Sequence, residues 1–200
     1  MHSVEDLEGI AQRVHDEIGV DPVDAFAIAE QLGIEVRCWS KAHGRREADV
    51  IWCPRPLKAR ETRRHGIVAH ELAHWLLDAF GLEARCEPSA RYLAGALMLP
   101  RERFLRDMAR TGWDLHALRE LHPNASAEMI VVRMTQLSQA TAWVWDNGRL
   151  ARQYGIDEAD VSEYVDRVLT VEEPVIDGAI GAWPVFDRHW RRVIVVKKSA

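Results

Sequence analysis

The sequence predicts an α+β fold in which a helix-rich domain carries a small antiparallel sheet and is followed by a short α/β extension. Apolar residues recur at helical spacing through most of residues 1–138. Two clusters of strand-forming residues interrupt this pattern between positions 34 and 53. An Asn-Gly turn, a further helical pattern and a run of β-branched residues come later. We therefore expect one domain over residues 1–138, and a C-terminal extension with a hairpin, a helix and a terminal strand over residues 139–200.

Two helices are predicted at the start of the chain. Residues 4–18 place apolar side chains at helical spacing, and Gly19 follows as a stop signal. Asp21 and Pro22 match an N-cap followed by proline at the first helical position. This pattern predicts a second, short helix over residues 23–32.

A strand pair and two longer helices come next. Strand formers over residues 34–39 and 49–53 flank a polar turn region, and we expect them to pair as antiparallel strands. A long helix is predicted over residues 60–80 and another over residues 88–99, where Pro100 stops it. The functional interpretation depends on these two helices.

The rest of the chain is first helical and then mixed. Asn147-Gly148 suits a type I′ turn, so the residues on either side are expected to form a hairpin. The other predicted elements are helices over residues 101–111, 114–121, 126–137 and 157–169 and a strand over residues 190–196. The hairpin and the terminal strand either complete the fold or present a strand edge that pairs with an extended peptide.

Composition and charge limit the classes of protein to which the chain can belong. The 26 Lys and Arg residues against 31 Asp and Glu residues leave a net charge of −5, which provides no overall attraction to nucleic acid or to anionic membranes. The N-terminal segment lacks the basic start and apolar centre of a signal peptide, and the uncharged apolar stretch at residues 92–100 is far shorter than the ~20 residues of a membrane-spanning helix. Cys38, Cys53 and Cys86 show no CxxC spacing, which is typical of a reducing compartment. We expect a cytoplasmic protein without membrane contact.

One motif carries chemistry. Residues 70–74 read His-Glu-Leu-Ala-His, and two histidines four residues apart lie on one face of a helix, within reach of a single Zn²⁺ ion. Glu71, between them, is the expected general base. The alternative is an amphipathic helix with a solvated stripe, but such a stripe typically consists of Lys, Arg or Glu. We therefore predict that His70 and His74 are metal ligands.

The motif needs a third ligand, because a catalytic zinc ion takes three protein ligands and keeps a fourth position open for water. Cys86 and Glu87 are the nearest candidates. Small residues at positions 90 and 94–96 would let the helix near Glu87 approach the helix of the histidines closely. The alternative role for Glu87 is that of an acidic residue at a helix N-terminus, where it stabilises the helix dipole. Spacing alone leaves the choice between Cys86 and Glu87 open.

Further motifs surround these residues in a recognisable order. They are HELAH preceded by Arg64, Glu87-x-x-Ala90, Ala94-Gly95-Ala96-Leu97-Met98-Leu99-Pro100, Asp21-Pro22-Val23-Asp24, Ile28-Ala29-x-x-Leu32-Gly33-Ile34, Ala125-Ser126-Ala127-Glu128 and Arg133-Met134. Their order and spacing resemble those of the ImmA/IrrE family of zinc metallopeptidases over residues 4–137. Arg91 departs from the family pattern, since relatives usually carry Asn or Asp at that position.

The resemblance implies a zincin-like metallopeptidase fold with one Zn²⁺ ion. The leading Glu of the family motif, which is the third ligand, falls on Glu87, so the implied ligands are His70, His74 and Glu87. The implied activity is that of an intracellular zinc-dependent endopeptidase with Glu71 as its catalytic base. Its implied substrate is a separate helix-turn-helix transcriptional repressor, encoded nearby, in a stress-response or mobile-element switch.

Two other functions stay open at this point. A DNA-binding module is one, because residues 23–34 and 115–137 resemble pieces of a helix-turn-helix, but the second segment lacks a basic face and we expect no direct nucleic-acid binding. A non-proteolytic regulatory protein that binds a repressor or another partner is the second, although a structural zinc site has no use for Glu71. The possible donors to a developing oxyanion are Tyr92, His65, His116 and His189.

Overall fold

The computed structural model of the chain describes residues 2–19, 21–56, 60–186 and 190–198. Its helices are α1 (Val4–Ile18), α2 (Ala25–Gln31), α3 (Glu61–Ala79), α4 (Glu87–Met98), α5 (Arg101–Thr111), α6 (Leu115–Leu121), α7 (Ala127–Leu137) and α8 (Ser162–Val171). Its strands are β1 (Glu35–Trp39), β2 (Arg45–Glu47), β3 (Val50–Pro54), β4 (Thr141–Asp146), β5 (Arg149–Tyr154), β6 (Val175–Asp177), β7 (Ile180–Phe186) and β8 (Arg191–Lys197). The helix-rich α+β fold predicted from the sequence is confirmed.

Contacts within the chain divide it into two compact units. The first comprises Met1–Asp107 and Arg119–Ser126, and the second comprises Met108–Leu118 and Ala127–Ala200. The domain boundary expected between residues 138 and 139 stays a prediction. Across the described ranges, no helix combines the length and the apolar character that crossing a bilayer requires.

Helix α1 has the bounds that its apolar spacing predicts. The Ser3 hydroxyl accepts a hydrogen bond from the backbone N–H of Asp6 at 3.1 Å, which satisfies one of the free donors at the helix start. At the other end, the N–H of Gly19 donates to the carbonyl oxygen of His15. The apolar face between these ends is buried and consists of Leu7, Ile10, Ala11 and Val14.

Helix α2 begins two residues later than expected, and its cap is a different residue. The Asp24 carboxylate accepts hydrogen bonds from the backbone N–H groups of Phe26 at 2.8 Å and Ala27 at 3.1 Å. The Asp21 carboxylate instead lies 2.7 Å from the guanidinium of Arg103. The predicted N-cap at Asp21 is therefore wrong, because Asp24 is the side chain that satisfies the free N–H groups of the first turn.

The small sheet of the first unit has the strand order β1-β3-β2. Strands β1 and β3 pair in parallel, so the antiparallel pairing expected for these two segments is wrong. The antiparallel partner of β3 is β2, which lies in the region expected to be a turn. In the sequence, β2 follows β1 and precedes β3, and it runs in the direction opposite to both. This reversal lets β1 and β3 run in the same direction, while β2 lies at the edge of the sheet.

Helices α3 and α4 form the centre of the first unit. Helix α3 contacts α2, β3 and α4, and it is lined by buried residues that include Leu72, Ala73 and Leu76. Helix α4 presents small buried residues, among them Ala90 and Ala94. Small side chains allow two helix backbones to approach closely, which is the packing that the sequence predicts for these two helices.

The second unit contains a five-stranded antiparallel sheet with the order β5-β4-β8-β7-β6. The predicted hairpin of β4 and β5 is confirmed, with Asn147 at φ 51° and Gly148 at φ 76°, as a type I′ turn requires. Strand β8 pairs with β4 on one side and β7 on the other, so both of its edges are covered. The terminal strand therefore completes the sheet and offers no free edge to a peptide.

Helix α8 packs on one face of this sheet, and it starts later than expected. The carboxylates of Asp157 and Asp160 accept hydrogen bonds from the N–H groups of Ala159 and Ser162, so these acidic residues form turns before the helix rather than its first turn. The helix begins at Ser162. Strands β6 and β7 were not predicted, because Gly181 and Pro184 weaken the strand pattern of β7.

We expect Asp24→Ala to lower the free energy of unfolding by about 0.5–2 kcal/mol, because the variant leaves two N–H groups of α2 without their side-chain acceptor. Asp24→Asn should retain most of the stability, since asparagine caps a helix about as well as aspartate. Urea denaturation of the wild type and both variants measures the difference. Equal losses for Ala and Asn would show that the charge of Asp24, rather than its capping oxygen, stabilises the helix.

Candidate metal centre

Two histidines of α3 and one glutamate of α4 meet where the two helices pack. His70 and His74 are separated by one turn of α3, and their Nε2 atoms lie 3.2 Å apart. Glu87 is the first residue of α4. Its Oε2 lies 3.5 Å from His70 Nε2, and its Oε1 lies 3.3 Å from His74 Nε2. The structure thus brings together the three side chains that the sequence predicts as ligands.

These distances suit a tetrahedral metal ion. With zinc–ligand distances of about 2.0–2.1 Å, two ligand atoms of a regular tetrahedron lie roughly 3.3–3.4 Å apart. The two histidine nitrogens are 3.2 Å apart, and each faces a different oxygen of Glu87, at 3.3 and 3.5 Å. With one ligand atom taken from each residue, the three atoms lie within 4.8 Å of one another. Two imidazole nitrogens and one carboxylate oxygen are also a donor set that zinc accepts at catalytic sites. The residues present therefore fit a zinc ion with a fourth position left open.

The surroundings of His70 and His74 favour metal binding in two different ways. The Nδ1–H of His74 donates to the backbone carbonyl of Ala84, which leaves the Nε2 lone pair free to face Glu87. Burial lowers the pKa of His70, and the neighbouring His74 lowers it further, while Glu87 acts in the opposite direction. A neutral imidazole is the form that coordinates a metal ion.

Cys86 and Glu87 occupy different places in the structure. Cys86 is the N-cap residue of α4, and its Sγ lies 3.1 Å from the hydroxyl of Ser89. The cluster of potential ligands found among the described residues contains Glu87 together with His70 and His74, and it does not contain Cys86. Geometry thus favours the carboxylate over the thiol.

Pro88 and Arg91 are neighbours of Glu87 in α4. Pro88 lies within the first turn, where a helix needs no N–H donor, so it leaves the position of Glu87 undisturbed. The Nε of Arg91 lies 3.8 Å from Glu87 Oε2. The side chain of Arg91 is 75% exposed, so this contact orients the carboxylate only weakly.

Glu71 is half-buried on the same helix as the histidines. Burial raises the pKa of Glu71, and smaller opposing effects come from His74 and from Arg46, whose backbone N–H donates a hydrogen bond to the carboxylate. Arg46 lies on β2. A carboxylate with a raised pKa, held by one backbone donor near two potential metal ligands, is suited to accept a proton.

Sequence reasoning missed the segment that covers Glu71. A Cβ on Gly44 would lie 2.3 Å from Cγ2 of Ile67 and 3.1 Å from Oε1 of Glu71, so the chain before β2 touches α3 at the proposed base. In the sequence, Gly44 is indistinguishable from an ordinary turn glycine. Only the tertiary approach of the two segments shows that position 44 has no room for a side chain.

Two of the candidate oxyanion donors, Tyr92 and His116, form hydrogen bonds with other groups of the protein. Tyr92 donates its hydroxyl to Glu8, and His116 Nε2 lies 3.1 Å from the carbonyl oxygen of Pro184. His65 is buried, with its ring against Phe26. His189 lies outside the described residues.

One helix thus presents two histidines and the next helix a glutamate, a set of potential ligands that occurs in zinc peptidases. A model of the family described as the IrrE N-terminal-like domain, Peptidase_M78, matches residues 41–135, a segment that contains His70, Glu71, His74 and Glu87. This match over residues 41–135 confirms the resemblance to the ImmA/IrrE family for that segment.

Solved structures support the fold. A Mycobacterium tuberculosis transcriptional regulator superimposes with a TM-score of 0.68 and 16% sequence identity, over 96% of this chain and 76% of that one. At this level of identity, the likeness shows a shared fold. The comparison with curated proteins finds no match.

We expect Gly44→Ala to lower the free energy of unfolding by about 1–3 kcal/mol, because the added methyl group overlaps with Ile67. Gly9→Ala is the matched control, since a Cβ at that helical position meets nothing within 4 Å and alanine is the better helix former. Urea denaturation measures both effects. The double variant Gly44→Ala/Ile67→Ala should recover part of the loss, and a single variant as stable as the wild type would contradict the close approach.

Loss of a ligand is expected to release the metal. His70→Ala, His74→Ala and Glu87→Ala should each weaken zinc binding by more than about 100-fold, because two remaining ligands hold the ion poorly. Cys86→Ser should leave the zinc content unchanged. Metal content by mass spectrometry gives the result. Cobalt substitution separates the two candidates for third ligand, because a thiolate-to-cobalt absorption band that disappears in Cys86→Ser would assign the role to the cysteine.

Proposed function

We propose that this chain is a zinc-dependent endopeptidase in which His70, His74 and Glu87 hold one Zn²⁺ ion and Glu71 is the general base. The observation that carries the proposal is the cluster of His70, His74 and Glu87, whose ligand atoms lie within 4.8 Å of one another, beside the half-buried Glu71 on the helix of the histidines. The match of residues 41–135 to the IrrE N-terminal-like domain supports a metallopeptidase-like role. A purely structural site would have no use for a base at position 71.

Each side chain has a distinct part in the reaction. Zinc, when bound, supplies a Lewis acid that activates water and polarises the scissile carbonyl. Glu71 takes the proton from the attacking water and passes it to the leaving amine. Because its pKa is raised, Glu71 binds a proton more strongly than an ordinary carboxylate does. This favours its uptake of the proton from water. The backbone N–H of Arg46 holds the carboxylate in place during these steps.

We further propose that the substrate is a separate helix-turn-helix repressor, encoded nearby, which the protein cleaves in the cytoplasm. The motif resemblance supports this substrate class. A selective protease uses binding contacts remote from the scissile bond to position that bond at the metal. Such selectivity suits a reducing compartment filled with other proteins, and the sparse cysteines of the chain agree with that compartment.

The purified, zinc-loaded protein should cut this repressor at one site and should leave denatured casein largely intact. Intact-mass spectrometry of the repressor identifies the cut. Glu71→Gln should retain the metal and lose about 10²–10⁴-fold in cleavage rate, because an amide has the shape of the carboxylate but cannot accept the proton.

Three outcomes would change the proposal. Efficient digestion of casein without a cut in the repressor would contradict selective cleavage. Equal turnover by Glu71→Gln would remove Glu71 from the role of base. Tight binding of the repressor without any cut would favour the alternative of a non-proteolytic regulatory protein.

A further inference from the structure

Two cysteines lie side by side in the small sheet. Cys38 of β1 and Cys53 of β3 are register partners in the parallel pair. Directly paired residues on neighbouring strands point to the same face of the sheet, and their Cα atoms lie about 4.8 Å apart. Disulfides form across Cα separations of roughly 4.4–6.8 Å. The Cα separation expected for this register pair thus lies within the range of disulfides.

Both sulfurs contact Arg64 of α3, one at its side chain and the other at its backbone. The Nη2 of Arg64 lies 3.8 Å from the Sγ of Cys38, and the thiol of Cys53 donates to the backbone carbonyl of Arg64 at 4.0 Å. The remaining donors of this buried guanidinium are held by Glu61 and by the carbonyl of Pro54. The guanidinium therefore places a positive charge 3.8 Å from the Cys38 sulfur.

The two cysteines differ in exposure. Cys38 is exposed to solvent, whereas the side chain of Cys53 is fully buried. Burial raises the pKa of Cys53, an effect that the charge of Arg64 partly opposes. An oxidant in solution thus reaches Cys38 first. Burial shields the thiol of the neighbouring Cys53 from direct contact with the oxidant. This is the arrangement of an attacking and a resolving cysteine.

We propose that Cys38 and Cys53 are a peroxide-sensitive pair that forms a reversible disulfide between β1 and β3. The Cys38 thiolate attacks one oxygen of hydrogen peroxide, the O–O bond breaks, and the products are a Cys38 sulfenic acid and hydroxide, which takes up the proton that Cys38 released. The Cys53 sulfur then attacks the Cys38 sulfur. The S–O bond breaks, and a second water molecule leaves with the proton of Cys53. Both sulfurs are oxidised by one electron each, and one peroxide is reduced to two waters.

A disulfide of this kind is compatible with a reducing compartment. Cytosolic disulfides are usually transient and sense the redox state, because thiol systems reduce them again. The bond would join an edge strand of the sheet to its central strand, next to the N-terminal half of α3. Cys86 provides an internal control, since its sulfur contacts Ser89 on α4 and has no register partner in the sheet.

The test maps the cysteine pairing of the full chain after a short treatment with about one equivalent of hydrogen peroxide. Free thiols are blocked with N-ethylmaleimide under denaturing conditions, and the digested protein is analysed by mass spectrometry without and with dithiothreitol. We expect a linked peptide pair that contains residues 38 and 53, that disappears on reduction, and that forms in most molecules. Cys86 should carry the maleimide.

Two variants separate this proposal from its alternatives. Cys86→Ser should form the same linked pair at the wild-type rate. Cys38→Ser should slow the oxidation of Cys53 by at least about 10-fold, because the remaining thiol is buried. Sulfinic acid on Cys38 with an unmodified Cys53, or a bond between the Cys38 residues of two chains, would overturn the proposal. The readout is a covalent bond, so its result is independent of the proposed peptidase activity.

Discussion

The packing of α3 against α4 is the constraint on which the rest of the site depends. Neither helix contains the three candidate ligands by itself, and Glu87 reaches the histidines only because the two backbones approach closely through small residues such as Ala90 and Ala94. Leu72 and Leu76 of α3 are buried in the same unit, and each fully buried leucine contributes about 1.5–3 kcal/mol relative to exposure. Burial of apolar side chains thus contributes to the free energy that holds two imidazoles and a carboxylate together at the surface.

The same helix connects the site to the small sheet. At its N-terminal end, Arg64 is buried but has partners for its polar atoms on the helix itself and on β3. Further along, Ile67 and Glu71 lie against Gly44 of the segment that leads into β2. A shift of the sheet relative to α3 would therefore move the backbone that lies against Glu71, the proposed base. The Cys38 and Cys53 pair lies in the same sheet and contacts Arg64 of α3.

The second unit shows how a motif residue can have a structural role. Glu128, which belongs to one of the family-like motifs, accepts hydrogen bonds from Tyr154 at 2.7 Å and from Arg152 and Arg192. Burial and the neighbouring carboxylate raise the pKa of Tyr154 to about 12, so the phenol stays protonated and continues to donate. This cluster ties α7 to the strands β5 and β8 of the sheet. Glu128 therefore stabilises the second unit.

The sequence by itself determined what depends on geometry within one element. The pairing of His70 with His74 follows from the helical repeat, and the hairpin at Asn147 and Gly148 follows from a turn that needs positive φ at both positions. Tertiary structure decided what depends on which segments meet. It brought Glu87 rather than Cys86 to the histidines, made β1 and β3 parallel, and left no room for a side chain at Gly44. The physical reason is that backbone geometry and hydrogen bonding act over a few residues and leave a periodic trace in the sequence, whereas contacts between distant segments depend on the packing of the whole core.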